Sequence, residues 1–467
     1  MSTALVLLFA PKLSAAPTTL TNDTIWTDSS GAEIKAQAGG IRREANGLYY
    51  WVGMNYYPNS GFQGLRLYSS ADLVHWTFVN IILPPAATGD LSGNPWIGRP
   101  DIIWNSTTNE YVLGFEWGNH VVDSSRPGNW YAYATSSTLT GTYTYRGRTL
   151  IYGNSIGDHS LFKDSDGKVY LLYVGDNLTT RNVTFNITRL SADYHGVDPV
   201  LTTPLVSMPN NGREAPSIVK IGSTYYCFFS GLVGWNSSAT KYMTATSMAG
   251  PWSATTTVTT APFSSNSFNT QHDFIISVPG TAGTAYLYAG DRWNQYTGVG
   301  VGKNAWFPLT FANGVPTING LQSFNIDAVA GTWSGSTATY SRMRNRLYSE
   351  YMRENKVGSD GFIWGTTLVS GNTAFDWELR PDGFGYTNII NRLTGEYLRS
   401  TQGTNVVTTT TYNSASWGFQ WTTSSDGTYT LFLNRLTGQY LQQDFTTHDI
   451  RVGVYSPTSW SFQWIVQ

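Results

Sequence analysis

Between about residues 25 and 324 the chain repeats one hydrophobic pattern roughly every 50–60 residues. A polar entry motif leads into an apolar run, then a Gly or Asn-Gly turn, then an aromatic run. Short alternating runs separated by such turns predict β-hairpins. The second strand of each unit is predicted over 48–53, 110–116, 169–174, 224–230 and 284–289. The turns before them read Ala45-Asn46-Gly47, Thr107-Thr108-Asn109, Asp166-Gly167, Gly222-Ser223 and Gly280-Thr281. Two units also carry similar closing segments, A-T-S-S-T-L-T-G-T-Y from Ala134 and A-T-S-M-A-G-P-W from Ala245. Five four-stranded units predict an all-β chain whose residues 17–335 form a five-bladed β-propeller. The innermost strands of such a ring converge on its axis, so the entry motifs of different blades meet at one end.

The pattern changes after a small, Gly-rich stretch at residues 328–340. Three segments then share a phrase built around Asn345, Asn391 and Asn434, which are 46 and 43 residues apart. Each is followed by an aromatic closing phrase, F-D-W-E-L from Phe375, F-Q-W-T-T from Phe419 and F-Q-W-I-V from Phe462. Three repeats of this length predict a β-trefoil over residues 340–467, in which three units bury a core that one could not.

Composition sharpens this picture. Only 12% of residues are charged, 15% are aromatic and 47 are glycines. Long helices favour Ala, Leu, Glu and Lys, so the balance argues against an α-rich protein. A net charge of −2 leaves no basic footprint for nucleic acid. Excess Tyr and Trp suit the apolar faces of sugars, although β-rich domains also use aromatics as core filler. The single cysteine, Cys227, allows no internal disulfide and reads as a small buried hydrophobe. An apolar run at residues 4–10 followed by Ser14-Ala15-Ala16 predicts a secretory leader over 1–16. Asn-x-Ser/Thr sequons at Asn22, Asn105, Asn177, Asn182, Asn186 and Asn236 point the same way, to a secreted glycoprotein. No apolar run elsewhere is long enough for a transmembrane helix. A monomer that binds neither nucleic acid nor membrane is expected.

The entry motifs hold the candidate chemistry. They are G-D-H-S-L-F from Gly157, R-E-A-P-S from Arg213 and T-Q-H-D-F from Thr270. Glycoside hydrolysis needs two carboxyl-type functions across the scissile bond, one of them protonated near neutral pH. Burial or a nearby carboxylate supplies that raised pKa. Glu214 is the candidate acid and Asp158 the candidate tuner. The plain alternatives are that Glu214 pairs with Arg213 and that Asp158 caps a turn. Trp96, Trp117, Trp130, Trp235 and Trp293 lie beside glycines or polar turns and are candidate sugar platforms. Trp117, Trp235 and Trp293, together with Arg99 and Arg292 as hydroxyl donors, make the expected substrate-binding set.

The strings D-H-S-L-F-K-D-S-D-G-K-V-Y-L-L-Y from Asp158 and R-E-A-P-S-I-V-K-I-G-S-T-Y-Y from Arg213 resemble the third- and fourth-blade signatures of glycoside hydrolase family 43. The resemblance implies a five-bladed propeller that hydrolyses glycosides with inversion. It implies Asp158 as the pKa-modulating aspartate and Glu214 as the general acid. The family's usual base lies in a D-P-x-I motif on the first blade, where this chain reads Ala38-Gly39-Gly40-Ile41. The chain is most similar to the fungal exo-β-1,3-galactanase branch, which also lacks that aspartate. Y-S-S-A-D-L-V-H-W, R-P-D-I-I-W-N and M-A-G-P-W-S carry this likeness. In that branch a fifth-blade glutamine, matched by Gln271, stands near the attacking water. Asp273 and Asp123 are alternative carboxylates for that water. The galactanases also carry sugar-binding glutamates where this chain has Gly98 and Met54.

The C-terminal repeats resemble ricin B-type modules, a candidate carbohydrate-binding unit. The aspartate that usually marks their sugar sites is absent from the runs after Met352, Leu398 and Leu441. The expected function is therefore a secreted inverting hydrolase acting on a polysaccharide or oligosaccharide, foremost an exo-β-1,3-galactanase. An α-L-arabinofuranosidase or β-xylosidase and a non-catalytic lectin are the alternatives. No cofactor is required by this chemistry, and neither structural calcium nor any other metal site is predicted.

Overall fold

Glycine- and asparagine-rich turns and β-branched or aromatic runs fold here as expected into short antiparallel strands. The computed structural model describes residues 16–467 except 23, 58–60, 119–128, 181, 262–263, 294–302, 336–339, 358–359, 370–371, 383 and 414. The predicted leader falls outside the described residues apart from Ala16, and Asp123 also lies outside them.

The five predicted second strands are all present, as Tyr49–Gly53, Glu110–Gly118, Val169–Asp176, Thr224–Gly231 and Thr284–Asp291. Each is the second strand of its own sheet, counted from the strand that carries the entry motif. Four of these sheets have four strands and the last has five, because Thr259–Ala261 joins it in parallel with Val315–Asn319. We call them the first to fifth blades in chain order.

The blade count of five needs correction, since the described residues of this part form six sheets of three or more strands, beside one two-stranded pair, Tyr56–Tyr57 with Gly61–Phe62. The sixth has three strands, Thr18–Thr21, Ser323–Asp327 and Thr332–Ser334. It forms because Leu20, Phe324 and Ile326 have apolar faces that find a core at the junction of the fifth and first blades. There they pack with Trp51, Trp76 and Trp306. A pairing between strands some 300 residues apart leaves no local signature in the sequence. Four other apolar clusters fill the spaces between successive blades, first to second through fourth to fifth. Cys227 is fully buried in one of them, as expected of a small hydrophobe.

Residues 340–466 form one thirteen-stranded sheet that closes on itself in a barrel-like arrangement. Its internal three-fold repetition is written in equivalent hydrogen bonds. Asn345, Asn391 and Asn434 are fully buried. Their Nδ2 groups donate to the carbonyls of Ser461, Ala374 and Gly418 at 2.7, 2.9 and 2.8 Å. Their Oδ1 atoms accept from the N–H groups of Leu347, Leu393 and Leu436 at 3.0, 2.9 and 3.1 Å. Each asparagine thus holds its own turn and ties it to a closing phrase. Trp377, Trp421 and Trp464 of those phrases are also fully buried. Their indole N–H groups donate to Met352, Leu398 and Leu441. The shared N-R-L and aromatic phrases are conserved within the chain because one geometry is built three times.

The sequons divide by burial. Asn22, Asn105 and Asn186 are at most 3% exposed, with their side-chain amides hydrogen-bonded inside the protein. A glycan on any of these three is incompatible with this fold, so they do not support the reading of a glycosylated surface. Asn182 and Asn236 are exposed.

Candidate active site

The entry motifs reach the axis through a shared distortion. The innermost strands of the second to fifth blades are Trp96–Asn105, Ser155–Lys163, Arg213–Ile221 and Gln271–Pro279. Each breaks register with its neighbour once, at Gly98/Asp101, Ile156/His159, Glu214/Ser217 and His272/Phe274. Such bulges bend a strand and re-aim its side chains. Two of them contain a proline, Pro100 and Pro216, which has no N–H for the ladder and is tolerated where pairing lapses. The residues before these prolines, Arg99 and Ala215, have φ of 45° and 51°. The φ of Ala215 is left-handed, a costly conformation for a residue with a Cβ. It turns the Ala215 N–H onto Asp158 Oδ2 at 2.9 Å. The fourth-blade bulge thereby links the strand that carries Glu214 to the carboxylate of the third blade.

The bulges open onto a cavity of about 370 Å3, near the small end of ligand clefts, which run from roughly 300 to 1,000 Å3. Glu214, Asp158, Gln271 and Arg99 line it, as do Trp235 and Trp293. Trp96, Trp235 and Trp293 form one aromatic wall, with ring centroids 5.7 and 5.0 Å apart and edge-on packing. Trp235 is 45% exposed and so offers ring area to a ligand.

Burial and the Asp158 charge push the Glu214 carboxyl up to about 8, against the opposing pull of Arg99. Arg213 does not pair with it. Its guanidinium turns to Thr255 and to the carbonyls of Pro209 and Asn210. Gln271 donates from Nε2 to Glu214 Oε1 at 3.3 Å and to the Gly234 carbonyl. The amide therefore positions the acid. Arg99 is held by the Asp273 carbonyl and Oδ1 at 2.8 and 2.9 Å and by the His159 carbonyl at 3.3 Å. It lies within the electrostatic reach of Asp158, Asp273, Asp291 and Glu214, which keep it charged. Asp273, offered as an alternative carboxylate, is 2% exposed and serves as the anchor of Arg99 rather than as part of the cavity lining.

Two expected sugar contacts are corrected. Trp117 lies in the core between the first two blades. Its indole N–H donates to the Asp90 carbonyl at 2.6 Å, and the Arg148 guanidinium stacks 3.7 Å from its ring. Successive residues of a strand face opposite sides. On Glu110–Gly118 the side turned to the cavity belongs to Glu116, so Trp117 cannot share it. Arg292 is 3% exposed and donates to the Phe268 carbonyl at 3.2 Å. It faces a separate crevice shared with Tyr340, Glu378 and Arg392, while its neighbour Trp293 faces the cavity.

Glu116 is the cavity residue that sequence reasoning missed. It is 3% exposed. Burial and the Asp158 charge raise its carboxyl to about 7. Asn129 Nδ2 and the Trp96 indole donate to it. The only signal was a charged residue inside an apolar run, G-F-E-W-G, in a charge-poor chain. Ala38, where the first-blade base was sought, also lines the cavity, but presents only a methyl group.

A family model for glycosyl hydrolases family 43 matches residues 40–303. The chain belongs to this family. Among characterised relatives, a β-D-galactofuranosidase from Aspergillus niger is 28% identical over 224 residues, 44% of this chain and 60% of that protein. The family 43 chain thus spans 60% of that relative's length. An exo-β-1,3-galactanase from Clostridium thermocellum superposes with a TM-score of 0.63 at 24% identity, covering 96% of this chain and 99% of that one. An exo-β-1,3-galactanase from Phanerochaete chrysosporium, solved with β-1,3-galactotriose, gives 0.63 at 24%, covering 96% and 100%. At these identities the likeness to the solved structures is one of fold, and it extends through the C-terminal sheet.

Proposed function

We propose that this family 43 chain is a secreted, inverting, exo-acting hydrolase that releases terminal galactose from β-1,3-galactan. The observation that carries the chemistry is the half-buried Glu214 beside Asp158, a carboxyl pushed up to about 8 in a cleft with an aromatic wall. Glu214 gives its proton to the leaving oxygen, as an inverting acid does. Asp158 keeps that proton in place through its charge, and Gln271 orients the acid. Trp235 and Trp293 stack on sugar faces. Hydrolysis along this path requires no cofactor.

The choice of galactan rests on fold likeness to two galactanases along almost the whole chain, C-terminal sheet included. The match to a β-D-galactofuranosidase favours a second reading, removal of terminal galactofuranose by the same acid. Gly98 and Met54, which leave out two sugar-binding carboxylates of the galactanases, are compatible with it. We further propose that the closed C-terminal sheet is a β-trefoil. The three equivalent asparagine turns and tryptophan anchors support this. Incubation with β-1,3-galactan, arabinan and a panel of aryl glycosides, followed by analysis of released monosaccharides, tests the assignment. Galactose from galactan is expected. Release from aryl galactofuranosides alone selects the second reading. Sugar binding with no hydrolysis of any substrate overturns both in favour of a lectin.

A further inference from the structure

Among the described residues, the first-blade and fifth-blade positions of the cleft leave the proton of the attacking water without a carboxylate acceptor. Ala38 offers a methyl group at the first-blade position, and Gln271 spends its N–H groups on Glu214 and on Gly234. A neutral carboxamide is in any case a weak proton acceptor. Of the carboxylates lining the cavity, Asp158 is engaged by the Ala215 N–H beside the acid. Among the described residues that leaves Glu116, which stands opposite Gly98 in the ladder between the first two strands of the second blade.

That pairing explains how a second-strand side chain reaches the axis. A Cβ built on Gly98 would lie 2.9 Å from Glu116 Oε2 and 2.9 Å from the Trp96 indole nitrogen. The carboxylate therefore occupies the space that any other residue at 98 would fill. Asn129 and Trp96 fix its orientation from two sides, as a preorganised group requires.

We propose that Glu116 is the base of this enzyme, accepting the proton of the water that attacks the anomeric carbon. The inference rests on the hydrolase reading above, but not on which sugar is released. As the water oxygen bonds to the anomeric carbon, the glycosidic C–O bond breaks. The water proton passes to Glu116, and the Glu214 proton passes to the leaving oxygen. The product is a hemiacetal of inverted configuration, and solvent exchange resets both carboxyls. The charged groups acting on Glu116 include Asp158 and Glu214, which favour its protonation, and Arg99, which opposes it. Both carboxyls are raised, and the Glu116 charge itself raises Glu214, so an ionised Glu116 favours the protonated acid beside it.

The test compares Glu116→Gln with Glu214→Gln on a dinitrophenyl β-D-galactoside, whose leaving group needs no protonation, or on the corresponding galactofuranoside. Glu214→Gln should keep kcat within about 10-fold of the parent, whereas Glu116→Gln should lose roughly 100-fold or more with KM little changed. Azide should restore turnover to Glu116→Ala and yield the glycosyl azide of inverted configuration. Gly98→Ala, which crowds the carboxylate without deleting it, should show a similar kcat loss when read on the folded fraction. A Glu116→Gln variant that raises KM while keeping kcat and the acidic limb of the pH profile overturns the proposal, leaving Glu116 a sugar-binding group. A parent protein inactive on every substrate overturns the hydrolase reading itself, and this inference with it.

Discussion

At Glu214 one side chain couples activity and stability with opposite signs. Its carboxyl is raised to about 8 by burial and by Asp158. The acid form is present below that value, so kcat/KM should fall as pH rises through about 8. Glu214→Gln should lower kcat on galactan by roughly 100- to 10,000-fold and abolish this alkaline limb, as pH-rate profiles of both proteins will show. Stability falls with rising pH as well, but the substitution moves it the opposite way to activity. A carboxyl whose folded pKa is raised contributes its full stability below the ordinary glutamate range and loses it as pH climbs toward the folded value. Glu214→Gln removes that penalty. Its melting temperature should match the parent at pH 4 and exceed it by a few degrees at pH 9, by differential scanning calorimetry. Asp158→Asn separates the two residues' roles. With the neighbouring charge gone, Glu214 ionises more easily, and the alkaline limb should move to lower pH in the same assay.

The elements that carry these residues are strands bent at matching places. Four bulges in four blades aim Arg99, Asp158, Glu214 and Gln271 at one cleft, and the entry motifs made that convergence legible from sequence. The second strands were legible too, because turn residues and aromatic alternation mark them locally. Strand parity at the cleft was not. In G-F-E-W-G both the glutamate and the tryptophan suit a ligand surface. Which of them faces the axis depends on where the neighbouring strand slips register, and Gly98 gives no sign of that slip. Trp117 was therefore favoured and Glu116 overlooked. Ala215 sits in one of these bends. Its positive φ admits alanine with strain and a β-branched residue far worse. Ala215→Val should lower the melting temperature and, by turning the N–H away from Asp158, reduce kcat more than it raises KM. Steady-state kinetics at pH 6 on the folded fraction will separate the two effects.

At the scale of the whole molecule, the seam between first and last blades decides whether the ring closes. The C-terminal repeats were visible in sequence because each must satisfy the same asparagine turn. The sixth sheet was invisible because it pairs Thr18–Thr21 with a strand some 300 residues further along the chain. Asn22 locks that seam. Its Nδ2 donates to the Trp306 and Leu321 carbonyls at 2.7 and 2.9 Å, and its Oδ1 accepts from the Trp306 N–H at 2.9 Å. Alanine at this position leaves buried backbone groups unpaired, at about 1–3 kcal/mol each. Asn22→Ala should therefore lower the unfolding transition of the propeller by several degrees. The fluorescence of Trp51, Trp76 and Trp306 at the seam reports it, and the C-terminal sheet, with its own core, should hold its transition. The same residue begins an Asn-Asp-Thr sequon. A glycan attached during synthesis would keep Asn22 from its three partners and leave Leu20 outside its core. Glycopeptide mass spectrometry of folded protein from a glycosylating host should find Asn182 or Asn236 occupied and Asn22 bare. A glycan on Asn22 of active protein would mean that the ring closes without this lock.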